Sequence, residues 1–148
     1  MLSVDTNIFV YAVDQSEPRK QAIALEVGRR AQAQGAAIAL QVCGEFYVAS
    51  TRRLKRAPWE AAQASRNLMT AFPTFAANRS DAERALAEAA AGRFSYWDAL
   101  LLAAADAAGC TALLTEDMAD GARFGRVEIV NPFAPDGLSA RAHELLSA

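Results

Sequence analysis

The sequence has very little histidine and cysteine, and this scarcity excludes several classes of active site. A zinc site built from these residues needs three or four ligands, whereas the 148-residue chain holds one histidine and two cysteines. The histidine, His143, lies in the predicted last helix, and a Ser-His-Asp arrangement would have to use it. We therefore expect neither a zinc site nor a serine hydrolase.

The sequence also lacks a long hydrophobic run and a basic N-terminal segment. The most apolar stretch, residues 99–108, contains Asp106 and is too short to span a bilayer. The apolar start is interrupted by Asp5, so we expect no signal peptide. Cys43 and Cys110 lie in apolar surroundings and are expected to be buried thiols rather than a disulfide. These features predict a cytoplasmic protein with no membrane segment.

Strong net charge is absent as well. A net charge of −2 does not by itself indicate a nucleic-acid-binding protein. The positive charge is nevertheless uneven, with a basic cluster formed by Arg52, Arg53, Lys55 and Arg56. By charge alone, a solvated helix end is a better interpretation of this cluster than a track for phosphates.

Short apolar runs alternate with helical stretches along the whole chain. Pro18 and Pro58 suit the first positions of helices, and Ser80 with Glu83 predicts a capping box. The candidate strands are residues 2–4, 36–40, 73–76, 110–114 and 127–130. Strands that alternate with helices in this way predict an α/β fold, a three-layer sandwich with a mainly parallel central sheet. No linker or repeat is visible, so we expect one domain over residues 1–148.

Four acidic residues lie next to ends of the predicted elements. They are Asp5, Glu45, Asp98 and Asp117. In an open parallel sheet, ligands bind outside the carboxyl ends of the strands, so the four are expected to converge. Each also has a structural interpretation as a helix cap, a first-turn acid or an ordinary loop residue.

Convergent carboxylates point to a particular chemistry. They repel one another, and their pKa values rise unless a cation joins them. Oxygen ligands without histidine or cysteine favour Mg²⁺ or Mn²⁺. Such ions promote the hydrolysis of phosphate esters, and no side-chain nucleophile is apparent, so water is the expected nucleophile.

Four ordered segments carry a family resemblance. Residues 4–9, Glu45 on its helix, residues 97–101 and residues 114–118 resemble the motifs of PIN-domain nucleases, and residues 121–133 resemble the closing strand of one bacterial branch. The resemblance implies a PIN-like fold and metal-dependent phosphodiester cleavage at Asp5, Glu45, Asp98 and Asp117. Bacterial proteins of this size resemble toxins of the VapC type, which implies RNA as substrate, a cognate antitoxin as partner and a homodimer.

Further residues follow from the same resemblance. Support of the acids is expected from Thr6, Asn7, Thr115, Glu116 and Asp120, with Glu116 the weaker candidate because adjacent loop residues usually point apart. The basic cluster is then expected to contact the RNA backbone. Gln41 departs from the family pattern, in which a small hydroxyl residue is common near the start of the Glu45 helix.

Two other functions compete with this interpretation. A phosphatase of the haloacid dehalogenase kind also begins with a strand-end aspartate, but it needs a second acid two residues later, where this chain has Asn7. A non-catalytic interaction module with the same fold is the other alternative. The presence of all four acids argues against a decayed site.

Overall fold

A computed structural model describes all 148 residues, and its elements alternate as the sequence predicts. The helices are α1 (Thr6–Ala12), α2 (Pro18–Ala33), α3 (Leu40–Arg52), α4 (Pro58–Ala71), α5 (Arg79–Ala90), α6 (Tyr96–Ala107) and α7 (Ala140–Leu146). The strands are β1 (Leu2–Val4), β2 (Ile38–Ala39), β3 (Thr74–Phe75), β4 (Ala112–Leu114), β5 (Arg123–Phe124), β6 (Val127–Val130), β7 (Phe133–Ala134) and β8 (Gly137–Leu138).

The central sheet has four strands in the order β1-β4-β6-β5. Strand β4 pairs in parallel with both β1 and β6, and only β5 runs antiparallel. Strands β2 and β3 form a separate parallel pair beside β1, where the Ala37 N–H donates to the Leu2 carbonyl at 3.0 Å. The prediction of an α/β fold with a mainly parallel sheet is therefore confirmed.

Helices cover both faces of this sheet, which explains why its strands are continuous apolar runs. The residues of β1 and β4 are all buried, and those of β6 are buried except for the half-buried Glu128. One apolar core joins the strands to α1, α2, α3 and α6. The buried sheet is thus a rigid support for the residues that directly follow its strands.

The parallel register brings two distant parts of the chain to the same edge of the sheet. Val4 pairs with Leu114, and the Asp5 N–H continues the ladder by donating to the Leu114 carbonyl at 3.0 Å. Asp5 and Thr115, which follow these strands directly, are consequently neighbours at the carboxyl end. The topology alone therefore accounts for the meeting of the first and fourth motifs.

Some predicted local details are wrong. The capping box of α5 is formed by Asn78 and Asp81, not by Ser80 and Glu83: the Asp81 N–H donates to Asn78, and Asp81 accepts from the Asn78 N–H, both at 3.0 Å. Helix α7 begins at Ala140, with Ser139 as its N-cap, and not at Leu138 as the sequence pattern predicts, because Leu138 belongs to the β7–β8 hairpin. No helix of the protein is long and apolar enough to cross a membrane.

The turn between β5 and β6 depends on a glycine. Gly125 has a φ of 56°, and as the first residue of a two-residue hairpin loop it matches a type II′ turn. A Cβ at this position would lie 2.5 Å from Oδ2 of Asp106. That carboxylate accepts hydrogen bonds from the Arg126 N–H at 3.1 Å and from Arg84 at 3.0 Å, so it is not free to move.

We expect Gly125→Ala to lower the free energy of unfolding by about 2–4 kcal/mol. About 1–2 kcal/mol comes from the positive φ, and a further 1 kcal/mol or more comes from steric overlap with Asp106. Urea denaturation measures the change. Gly92→Ala is the control, since Gly92 also has a positive φ but has no atom within 4 Å of an added Cβ. Equal losses in the two variants would contradict the steric contribution of Asp106.

Candidate functional site

The most buried acid at the carboxyl edge of the sheet is Asp5, which is 7% exposed. Its Oδ1 accepts from the Thr6 N–H at 2.7 Å, and its Oδ2 accepts from the Thr115 hydroxyl at 2.8 Å. Burial raises the pKa of Asp5 to about 6, against the opposing effect of these two hydrogen bonds. The carboxylates of Glu45 and Asp117 raise it further. Asp5 is thus both a cap of α1 and a carboxylate facing two others.

Asn7 connects the first and fourth motifs through its amide. Its Nδ2 donates to the Thr115 hydroxyl and to Oδ2 of Asp117, both at 3.0 Å, and lies 3.5 Å from Oδ2 of Asp5. Its Oδ1 accepts from the Glu116 N–H at 3.2 Å. Because both ends of the amide are engaged, Asn7 fixes the loop after β4 relative to α1.

Glu45 lies on the exposed side of α3 and is held by two neutral donors. The Thr6 hydroxyl donates to Oε2 and the Gln41 amide donates to Oε1, each at 2.7 Å. Gln41 stands one turn before Glu45, so its longer side chain reaches the carboxylate directly. The departure from the family pattern at Gln41 therefore leaves Glu45 supported.

Asp98 is the third residue of α6 and faces the other acids. The hydroxyl of the N-cap residue Ser95 accepts from the Asp98 N–H at 3.3 Å, but the Ser95 N–H makes no return bond to the carboxylate, so there is no reciprocal capping box. Burial raises the pKa of Asp98; the Ser95 side chain lowers it, and the charges of Asp117 and Glu45 raise it.

The other loop acids point elsewhere. Glu116 forms an ion pair with Lys20 at 2.8 Å and accepts from the Tyr11 hydroxyl at 2.7 Å. Oδ1 of Asp120 accepts from the Asn131 N–H at 2.8 Å. Glu116 thus supports the loop from its far side. The roles of Lys20 and Tyr11 are not visible in the sequence, because nothing near either residue in the sequence marks the distant partner.

The model of the PIN domain matches residues 2–128 of this sequence. The chain belongs to the PIN domain family. No curated protein matches the sequence, but several solved structures share its fold, and two of them illustrate the likeness. One is the crystal structure of Mycobacterium tuberculosis VapC20, a Sarcin-Ricin loop cleaving toxin, with 19% identity, a TM-score of 0.62, and coverage of 79% of this chain and 90% of that chain. The other belongs to a toxin–antitoxin complex from Klebsiella pneumoniae, with 24% identity, a TM-score of 0.61, and coverage of 90% and 98%.

The donor set of this PIN domain fits a hard divalent cation. Asp5, Glu45, Asp98 and Asp117 form no ion pair with lysine or arginine, although other acids of the protein do. Their hydrogen-bond donors are hydroxyls, amides and backbone N–H groups, which leave the negative charge uncompensated. No group of three acidic, histidine or cysteine side chains is close enough together to hold an ion as it stands. Ligation by three of them would therefore require side-chain movement.

The PIN domain's basic cluster divides between two surfaces. Arg52 and Arg53 line a groove with Thr6, Asn7, Gln41, Glu45 and Asp117. Arg56 lines a different groove beside Asp14, and Lys55 lines neither. Arg53 also acts on the groove that contains Asp14. Hydrogen bonds from Ser16 lower the pKa of Asp14, and the positive charge of Arg53 lowers it further. Only half of the predicted cluster therefore borders the acids.

Proposed function

We propose that this PIN domain protein is an endoribonuclease that hydrolyses RNA phosphodiester bonds with Mg²⁺ or Mn²⁺, and that it is the toxin of a toxin–antitoxin pair. The observation that supports the proposal most is that four carboxylates without a cationic partner lie near enough that, besides burial, the charges of Glu45 and Asp117 raise the pKa values of both Asp5 and Asp98. Other acids of this protein form ion pairs, as Glu128 does with Arg141 at 2.8 Å, or accept hydrogen bonds from backbone N–H groups outside the site, as Asp81 and Asp120 do. Four unpaired acids at one sheet edge are instead suited to binding metal.

Each acid has a role in the proposed mechanism. Asp5, Asp117, Glu45 and Asp98 would hold the ion, which supplies activation of water and stabilisation of charge on the reacting oxygens. Asp5 is fixed by the core of the fold, whereas Glu45 and Asp117 are exposed and open to substrate. Thr6, Asn7 and Thr115 orient these carboxylates through the hydrogen bonds described above, and Gln41 orients Glu45.

The proposed partners rest on the relatives. The Klebsiella pneumoniae structure is a toxin–antitoxin complex, which supports a cognate antitoxin as partner of this chain. The Mycobacterium tuberculosis toxin cleaves the Sarcin-Ricin loop, which supports RNA as the substrate class. A homodimer and a cytoplasmic location remain predictions from the sequence and the family resemblance.

The alternatives make different use of the same residues. A haloacid dehalogenase-like phosphatase would need an acid in place of Asn7, and here Asn7 is already engaged by Thr115, Asp117 and Glu116. A non-catalytic module would not require uncompensated acids. Cleavage of labelled RNA that depends on Mg²⁺ or Mn²⁺ and stops with EDTA would distinguish an enzyme from such a module.

We expect Mn²⁺ to raise the melting temperature of the protein, and to raise it much less in Asp5→Asn. A ligand that binds only the folded state at a hundredfold excess over Kd adds about 2.7 kcal/mol, which for a chain of this size corresponds to roughly 5–11 °C. Differential scanning calorimetry measures the shift. Asp120→Asn is the matched control and should respond like the parent, because Asp120 binds a loop N–H outside the cluster. Equal shifts in parent and Asp5→Asn would remove Asp5 from the site.

A further inference from the structure

A tryptophan beside the acid cluster is unusually exposed. Trp97 is 65% exposed and directly precedes Asp98 in the first turn of α6. Consecutive Cα atoms lie about 3.8 Å apart, so the backbone of Trp97 is adjacent to that of one of the four acids. An indole of this size normally contributes to a core or an interface, but here most of its surface is exposed to solvent.

The ring of Trp97 nevertheless packs against a neighbouring aromatic side chain on one side. Tyr96 meets it edge to face, with ring centroids 5.0 Å apart and an angle of 77° between the rings. Tyr96 itself packs against the hydrophobic core, and Ser95 caps the helix beneath both residues. Trp97 is therefore held by Tyr96 on one side, and most of the rest of its ring is exposed to solvent.

Trp97 and the arginines border different parts of the acid cluster. The groove lined by Arg52 and Arg53 reaches Glu45 and Asp117, and its lining includes neither Asp98 nor Trp97. Along α3, the seven steps from Glu45 to Arg52 span about 10 Å. The acids thus have cations that suit phosphates in the groove beside Glu45 and Asp117, and an aromatic ring that suits a base at the residue next to Asp98.

We propose that Trp97 is a stacking platform for an unpaired base of the RNA, adjacent to the phosphate held at the acids. This inference rests on the proposed ribonuclease function and specifies its substrate as single-stranded RNA or an unpaired loop. Every base has a π-face, so stacking tolerates many sequences, but a base paired within a duplex cannot leave its stack without cost. Trp97 then positions the strand and takes no part in the chemistry.

Tryptophan fluorescence provides a direct test, because the chain has only two tryptophans. Trp59→Phe leaves Trp97 as the sole indole, and Trp97→Phe leaves Trp59, which is 72% exposed at the start of α4 and forms no aromatic pair. Both are combined with Asp5→Asn, which should bind RNA without cleaving it. The probes are a single-stranded RNA of about ten nucleotides, the same sequence as a duplex, and an abasic ribose-phosphate strand of equal length.

We expect the single-stranded RNA to quench Trp97 emission, and the abasic strand and the duplex to leave it nearly unchanged. Trp59 emission should not respond to any of the three. By fluorescence anisotropy of labelled strands, Trp97→Leu should weaken binding of the single-stranded RNA about 5- to 150-fold, the range measured for one stacked base. Binding of the abasic strand should be unchanged.

The outcomes distinguish this inference from the function on which it rests. If the parent cleaves and binds RNA, but Trp97→Leu binds it equally well and Trp97 emission is constant, the stacking role is wrong while the ribonuclease stands. If the parent neither cleaves nor binds RNA under any metal condition, the proposed function itself fails. Quenching or a spectral shift that follows protein concentration without RNA would assign Trp97 to contact between two copies and overturn the inference.

Discussion

Replacing Asp98 by asparagine should lower RNA cleavage by about 100-fold or more and should leave the protein folded. Loss of one group that stabilises the transition state typically costs two to three orders of magnitude, and Asp98 faces Glu45 and Asp117 across the site. The measurement is the single-turnover cleavage rate of labelled RNA at saturating Mg²⁺ or Mn²⁺. The neutral amide keeps the shape of the side chain, so the loss reports on charge and ligation.

Stability should change in the opposite direction to activity. The folded protein raises the pKa of Asp98, chiefly through burial, so at neutral pH the charged carboxylate opposes folding relative to the unfolded chain. This unfavourable contribution is absent below the pKa of the carboxyl in the unfolded chain, grows as pH rises from that value to the raised pKa of the folded protein, and is complete above it. In metal-free buffer at neutral pH, Asp98→Asn should therefore be slightly more stable than the parent by urea denaturation.

The preceding helix provides a matched control. Asp81 occupies the same third position of α5, but it forms a reciprocal capping box with Asn78 and is 3% exposed. Asp81→Asn should cost about 0.3–1 kcal/mol through the weaker interaction with the helix N-terminus and should leave cleavage intact. An Asp98→Asn protein that is less stable yet fully active would instead make Asp98 a structural residue of the same kind as Asp81.

The difference between these two aspartates also shows where sequence reasoning works and where it fails. Both have a capping residue three positions earlier, so local pattern does not separate them. The segment from Asn78 to Glu83 offers two overlapping capping boxes, and the structure uses the earlier one because α5 begins directly after Asn78. Which of the two capping boxes forms depends on the path of the chain after β3, and tertiary packing sets that path.

Elements that depend on local pattern were predicted well. The start of α4 at Pro58 and the buried strands β1 and β6 agree with the structure, because a proline and apolar runs mark them. Two-residue strands such as β5, β7 and β8 were missed, since they are too short to show a period. The Lys20–Glu116 pair was also missed, because 96 residues separate its members and either charge alone fits a solvated surface.

Neutralising part of the basic cluster should have the second large effect, which is on RNA binding rather than on the rate of cleavage. Neutralising Arg52 and Arg53 together, as Arg52→Gln/Arg53→Gln, should weaken RNA binding and flatten its dependence on salt. Each lost contact with a phosphate of a single strand reduces the slope of log K against log salt by about 0.7, so two contacts should reduce it by about 1.4. Both side chains are exposed, and surface changes of this kind usually alter stability by less than about 0.5 kcal/mol.

The control has the same charge change three residues further along the chain. Lys55→Gln/Arg56→Gln removes two positive charges that do not border the acid cluster, so its salt slope should stay close to that of the parent. Affinities measured by anisotropy at several salt concentrations, in the Asp5→Asn background, give all three slopes. If the two double variants flatten the slope equally, the cluster acts through net charge rather than through contacts in the groove. If neither flattens it, the cluster is only a solvated helix end, and the RNA backbone is held elsewhere on the protein.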